Sequence, residues 1–91
     1  MRLRTIKKDL SKIDSDRYWD LVRRTLGDIF HRNPNDASPL EHEVRTSPPE
    51  EQVLFYHLEP LSTAADIADR EPTPQQIERY KALRANVYKL P

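Results

Sequence analysis

"SPPEEQVLFYHLEP", residues 47–60, decides the fold. Its middle holds Val53, Leu54, Phe55 and Tyr56 in succession, and β-branched and aromatic residues in such a run also suit a strand over 53–58. Its beginning favours a helix. Ser47 is followed by proline and, three positions on, by Glu50, the pattern of a capping box with proline in the first turn. Glu50 and Glu51 suit the positive end of the helix dipole. Glu59-Pro60 then ends the element, because proline lacks an N–H and drives its predecessor out of the helical region. The expectation is a helix over 48–59 that is apolar on several sides. Such a helix is either central or keeps one face for a partner. Val53, Phe55 and Tyr56 are its candidate interface residues.

The same start pattern recurs in "SPLE" (38–41) and "TPQQ" (73–76). The first predicts a short helical turn over 39–45, with Leu40 and Val44 four residues apart. The second predicts a helix over 74–88, with Ile77, Tyr80, Leu83 and Val87 directed inward. Upstream, "DSDRYWDLVRRTLGDIFHRNP" (14–34) reads as a helix over 16–32. Asp14 or Ser15 caps it and Asn33-Pro34 stops it. Trp19, Val22, Leu26 and Ile29 recur at spacings of three, four and three, with Phe30 beside them. Gly27, the one glycine, costs that helix roughly 1 kcal/mol relative to alanine and sits on its polar flank. Ser62 or Thr63 is expected to cap a further short turn over 63–69.

These elements make an all-α fold, a small single domain of three main helices plus short helical turns. The expected core is Trp19, Val22, Leu26, Ile29, Phe30, Leu54, Phe55, Leu58, Ile67, Ile77, Tyr80, Leu83 and Val87. At 91 residues, with 36% hydrophobic and 33% charged, that core is thin, and a dimer would supplement it. The helical domain spans 14–91. Residues 1–13 form a basic amphipathic arm or helix, with Leu3, Ile6, Leu10 and Ile13 at helical spacing among Arg2, Arg4, Lys7, Lys8 and Lys12.

Net charge is zero but unevenly spread. Residues 1–32 carry nine Lys/Arg against five Asp/Glu; residues 33–73 carry two against nine; residues 74–91 carry four against one. Basic ends beside an acidic middle imply either mutual solvation or one end meeting an anionic partner. Cysteine is absent, so disulfides, thiolate metal sites and a cysteine nucleophile are excluded. No apolar run reaches the ~18 residues of a membrane span, and "MRLRTIKKDL" does not resemble a signal peptide. A soluble, cytoplasmic protein is the expectation.

Little in the chain suggests chemistry. His31, His42 and His57 are spaced eleven and fifteen apart, so no pair shares a helical face as metal ligands do. One glycine cannot build a phosphate-binding loop. No catalytic, metal or cofactor residue is assigned, no small-molecule substrate is evident, and the expectation is a non-enzyme.

One phrase suggests nucleic acid. "ADIA" (65–68), followed by a break and a polar helix, resembles the start of a helix-turn-helix unit over about nineteen residues, 62–80. That family expects a glycine four residues after the alanine, an apolar residue next, and another ten after it. Counted from Ala68 these fall on Pro72, Thr73 and Glu78; counted from Ala65, on Asp69, Arg70 and Gln75. Neither register fits, and the chain is not placed in the family. DNA contact does not require that register, however. The last helix offers Gln75 and Gln76 for adenine edges, and Arg79 and Arg84 for phosphates. Against it stands the acidic stretch of Glu59, Asp66, Asp69 and Glu71, together with the absence of an overall basic footprint.

The expected function is a protein-interaction module: a regulatory or accessory subunit that binds another protein or itself as a homodimer. The alternative is a DNA-binding transcriptional regulator using the corner at 63–88.

Overall fold

In the computed structural model, which describes residues 13–88, the long N-terminal helix starts where the sequence asks for it. The Asp14 carboxylate accepts the Arg17 N–H at 3.1 Å, and this helix, α1, runs Ser15–Asp28. It ends four residues before the expected Arg32. His31 adopts a left-handed backbone (φ 56°), and the Arg32 N–H closes on the Leu26 carbonyl at 2.8 Å. This reversal is made by a histidine and not a glycine, so the sequence marks it only weakly. It brings Pro34 back over the end of α1, where a Cβ on Gly27 would meet Pro34 Cγ at 3.4 Å. Gly27 thus faces a chain contact rather than open solvent.

A 3-10 turn, Pro34–Ala37, runs straight into α2, Ser38–Arg45. Then follow α3, Pro49–Tyr56, α4, Pro60–Ala68, and α5, Pro74–Val87. Among the described residues there is no strand, so the reading of 53–58 as one is set aside. The fold is all-α, but the described residues form five helices instead of three main ones. Pro60, expected only to break a helix, is the first residue of α4, where its fixed φ fits and its missing N–H costs nothing. Ser62 and Thr63 lie inside α4 and do not cap it. Asp69 closes it in a left-handed conformation, with the Arg70 N–H bonded to the Ala65 carbonyl at 3.0 Å, a Schellman-type end without glycine.

Of the three capping phrases only the last works as expected. The Thr73 hydroxyl accepts the Gln76 N–H at 3.1 Å, and the Gln76 side chain accepts the Thr73 N–H at 2.9 Å. Ser38 is already helical because the 3-10 turn precedes it; Asn33 accepts the Asn35 N–H instead, and Ser38 accepts from Arg23 at 3.3 Å. Ser47 donates to the Glu43 carbonyl at 2.8 Å, so its hydroxyl ends α2 rather than starting α3. Gln52 bridges the two helices by donating to the Ser47 carbonyl at 2.8 Å.

Helix α1 is the hub: α4, α5 and the 3-10 turn pack on it, while α2 and α3 pair with each other. Its inward stripe is wider than expected, for Tyr18 and Leu21 are buried beside Trp19, Val22, Leu26, Ile29 and Phe30. From α4 come Leu61, Ala64, Ala65 and Ala68, whose small side chains let that helix approach α1 closely. Leu54 and Leu58, expected in the core, are instead 68% and 50% exposed. Ile13 is half-buried against the core, whereas the rest of the expected basic arm, residues 1–12, lies outside the described residues. Among the described residues no helix is long and apolar enough to cross a membrane.

Candidate functional site

Helix α3 is clamped to α1 by aromatic rings. Phe55 stacks on Trp19 (centroids 5.6 Å apart, planes at 17°), and Tyr18 meets Trp19, Phe55 and Tyr56 edge-on at 5.1–5.8 Å. The polar atoms in this cluster are satisfied. Trp19 Nε1 donates to the Tyr56 hydroxyl at 3.0 Å, and the Tyr18 hydroxyl shares a 2.7 Å hydrogen bond with Thr63 Oγ1 on α4. Burial pushes the Tyr18 phenol up to about 12, against the lowering effect of the Thr63 hydrogen bond. Tyr80 of α5 donates to Glu59 Oε2 at 2.6 Å; burial first, then the Glu59 carboxylate, raises its pKa. Both phenols, protonated at neutral pH as any tyrosine is, act as tethers between elements.

A second clamp is ionic. Glu41 of α2 sits between Arg23 of α1, with which it forms a close ion pair, and Arg45, whose Nε lies 2.7 Å away. Arg45 reaches on to Asp16 at 2.9 Å and Ser15 at 3.2 Å at the start of α1. Partial burial pushes the Glu41 carboxyl up, but hydrogen bonds and charge from the two arginines outweigh it and hold the group below the ordinary carboxylate value. The α2–α3 pair is thereby fixed against α1.

With both helices so held, the side of α3 turned from the core is defined. Of the candidate interface residues, Val53 is 2% exposed and Tyr56 9%, so both belong to the interior, and Phe55 is half-buried. The residues left outside are Leu54, in α3, and Leu58, in the turn that follows it. On one flank lies a groove of about 190 Å³ against α2, floored by Leu40, Val44 and Phe55 and rimmed by Glu43, Ser47 and Glu51. On the other lies a groove of about 520 Å³ that includes Leu58, Glu59, Arg84 and the partly exposed Tyr88. An all-apolar run does not reveal which side turns inward.

The residues considered for DNA contact are divided. Gln75 and Arg79 are exposed on α5. Gln76 is engaged at both ends of its amide, by the Thr73 N–H and by donation to the Ile29 carbonyl at 3.3 Å. Arg84 lies 3.5 Å from Glu59 Oε2. Helices α4 and α5 pack chiefly on α1 and little on each other, unlike the two helices of a helix-turn-helix corner. Among the described residues no three His, Asp or Glu side chains gather as a metal-binding group.

Comparison of the chain with protein-family models, with curated proteins and with solved structures gives no match.

Proposed function

We propose that the protein is a non-enzymatic, protein-binding helical module, a regulatory or accessory subunit, and that the outward side of α3 is its docking surface. One observation carries this reading: Leu54 in α3 and Leu58 in the turn just beyond its end are both exposed, whereas Val53 and Tyr56 are buried and Phe55 is half-buried. In a chain with 36% hydrophobic residues, two leucines given to solvent are costly to solubility and useful to a partner. Covering what remains exposed of them would contribute about 1–2 kcal/mol each. A second copy of the chain is one partner of this kind.

The double variant Leu54→Ser/Leu58→Ser tests it. Neither leucine supports the core, so the urea midpoint is expected to move by about 1 kcal/mol at most in stability, the range of surface and helix-propensity effects. Proteins retained by the immobilised wild-type chain, a second copy included, are expected to be lost from the variant. A variant that unfolds, or that retains the same proteins, contradicts the reading.

A further inference from the structure

Two of the reversals that join the helices meet at one cleft. Among the described residues only His31 and Asp69 have a left-handed backbone, just beyond the ends of α1 and α4, and an arginine follows each. The Arg32 N–H closes on the Leu26 carbonyl at 2.8 Å and the Arg70 N–H on the Ala65 carbonyl at 3.0 Å, which fixes both arginines at the backbone. Both line a cleft of about 470 Å³, with His31 and Thr73 beside them and Ile29 and Phe30 as its apolar wall. Gln76, also in the lining, donates to the Ile29 carbonyl at 3.3 Å and so ties the start of α5 to the end of α1 across the cleft. A cleft of this volume lies in the range of roughly 300–1,000 Å³ that accepts small organic ligands.

The arginines of this cleft are uncommitted. Arg17, Arg23, Arg24, Arg45 and Arg84 each hold a carboxylate, whereas among the described residues neither Arg32 nor Arg70 forms an ion pair. For Arg70 this runs against its surroundings: Asp66, Asp69 and Glu71 lie within four residues of it, in a stretch, 33–73, with two Lys/Arg against nine Asp/Glu. The other cation of that stretch, Arg45, is engaged by Glu41 and Asp16. Glu71 is the one acid in the lining, so the cleft keeps an excess of positive charge. One guanidinium satisfies both oxygens of a carboxylate; two of them, brought from different elements, suit the three oxygens and the double charge of a phosphate group.

We infer that this cleft binds a phosphate group, as the free anion or as a small monoester, with the phosphoryl oxygens held between Arg32 and Arg70 and any organic part against Ile29 and Phe30. None of the lining residues belongs to α2 or α3, so the inference stands or falls apart from the docking face.

The test is a titration of the isotope-labelled full chain with inorganic phosphate, phenyl phosphate and benzoate at constant ionic strength, followed by amide shifts. Both phosphates are expected to shift the amides of His31, Arg32, Arg70 and Glu71 along saturable curves. Arg32→Gln and Arg70→Gln, at exposed positions, should each weaken binding about tenfold, the scale of a charge-assisted hydrogen bond, while Arg79→Gln on α5 leaves it unchanged. Glu71→Gln, which removes the one acid, should tighten it. Phenyl phosphate bound more tightly than phosphate identifies an ester as the ligand; equal binding identifies the free anion. Shifts that do not saturate, that spread over the other arginines, or that benzoate reproduces at the same concentrations overturn the inference, as does undiminished binding in Arg32→Gln/Arg70→Gln. The wild-type titration alone is decisive if a variant fails to fold.

Discussion

Replacing Trp19 with alanine is expected to remove roughly half or more of the stability of the fold. Trp19 is 1% exposed and lies at the junction of α1 and α3, stacked on Phe55 and hydrogen-bonded to Tyr56. Removing a buried aromatic side chain costs about 3–5 kcal/mol, and the Tyr56 hydroxyl would lose its donor at a further cost of about 1 kcal/mol. A domain of this size has a total stability on the order of 5–10 kcal/mol, so the remainder would be marginal. Trp19→Phe is the control: it keeps a ring on Phe55 and loses the indole N–H, for a smaller loss. Urea titrations followed by far-UV circular dichroism measure both. A wild-type midpoint for Trp19→Ala would mean that the aromatic clamp does not hold α3 to α1.

Alkaline unfolding is the second large effect expected. The Tyr18 phenol ionises near 10 in an unfolded chain and is pushed up to about 12 in the fold, chiefly by burial. A raised folded value means that the stabilisation is fully present below pH 10 and is lost as pH rises from 10 towards 12, while the unfolded chain gives up its proton first. A rise of that size corresponds to about 3 kcal/mol, and Tyr80, raised by burial and Glu59, adds loss of the same sign. Stability in urea is therefore expected to be flat up to about pH 10 and to fall steeply above it, with tyrosinate absorbance and loss of helical signal appearing together. Tyr18→Phe should make the fall shallower. Tyrosine ionisation completed below about pH 11 in a chain that keeps its helical signal would show that the phenols are not enclosed.

The start of α1 and the start of α5 were legible because their caps are local: Asp14 and Thr73 each bond an N–H within three residues. Ser38 and Ser47 carry the same pattern, and their hydroxyls go elsewhere because of what precedes them, a 3-10 turn in one case and the end of α2 in the other. The left-handed residues His31 and Asp69 are of types only modestly enriched in that conformation, so the two chain reversals they make leave a weak mark in the sequence. The candidate surface was half legible. The apolar run placed an excess on α3, but which residues face in is set by the long-range contacts of Phe55 and Tyr56 with Tyr18 and Trp19, which the run itself does not show. Val53 and Tyr56 are consumed by the core as a result, and Leu54 and Leu58 are released.

The most direct measurement of the docking face is site-specific photo-crosslinking in the native cell, with a benzophenone side chain placed at Leu54 or Leu58 and, for comparison, at Gln75 or Arg79 on α5. All four positions are exposed, so each can carry the probe without disturbing the core. The expected result is a discrete protein adduct from 54 and 58, of a partner or of a second copy, and none of that mass from 75 and 79. Adducts from α5 alone, to nucleic acid or to protein, or the same adducts from all four positions, would contradict a docking surface on α3.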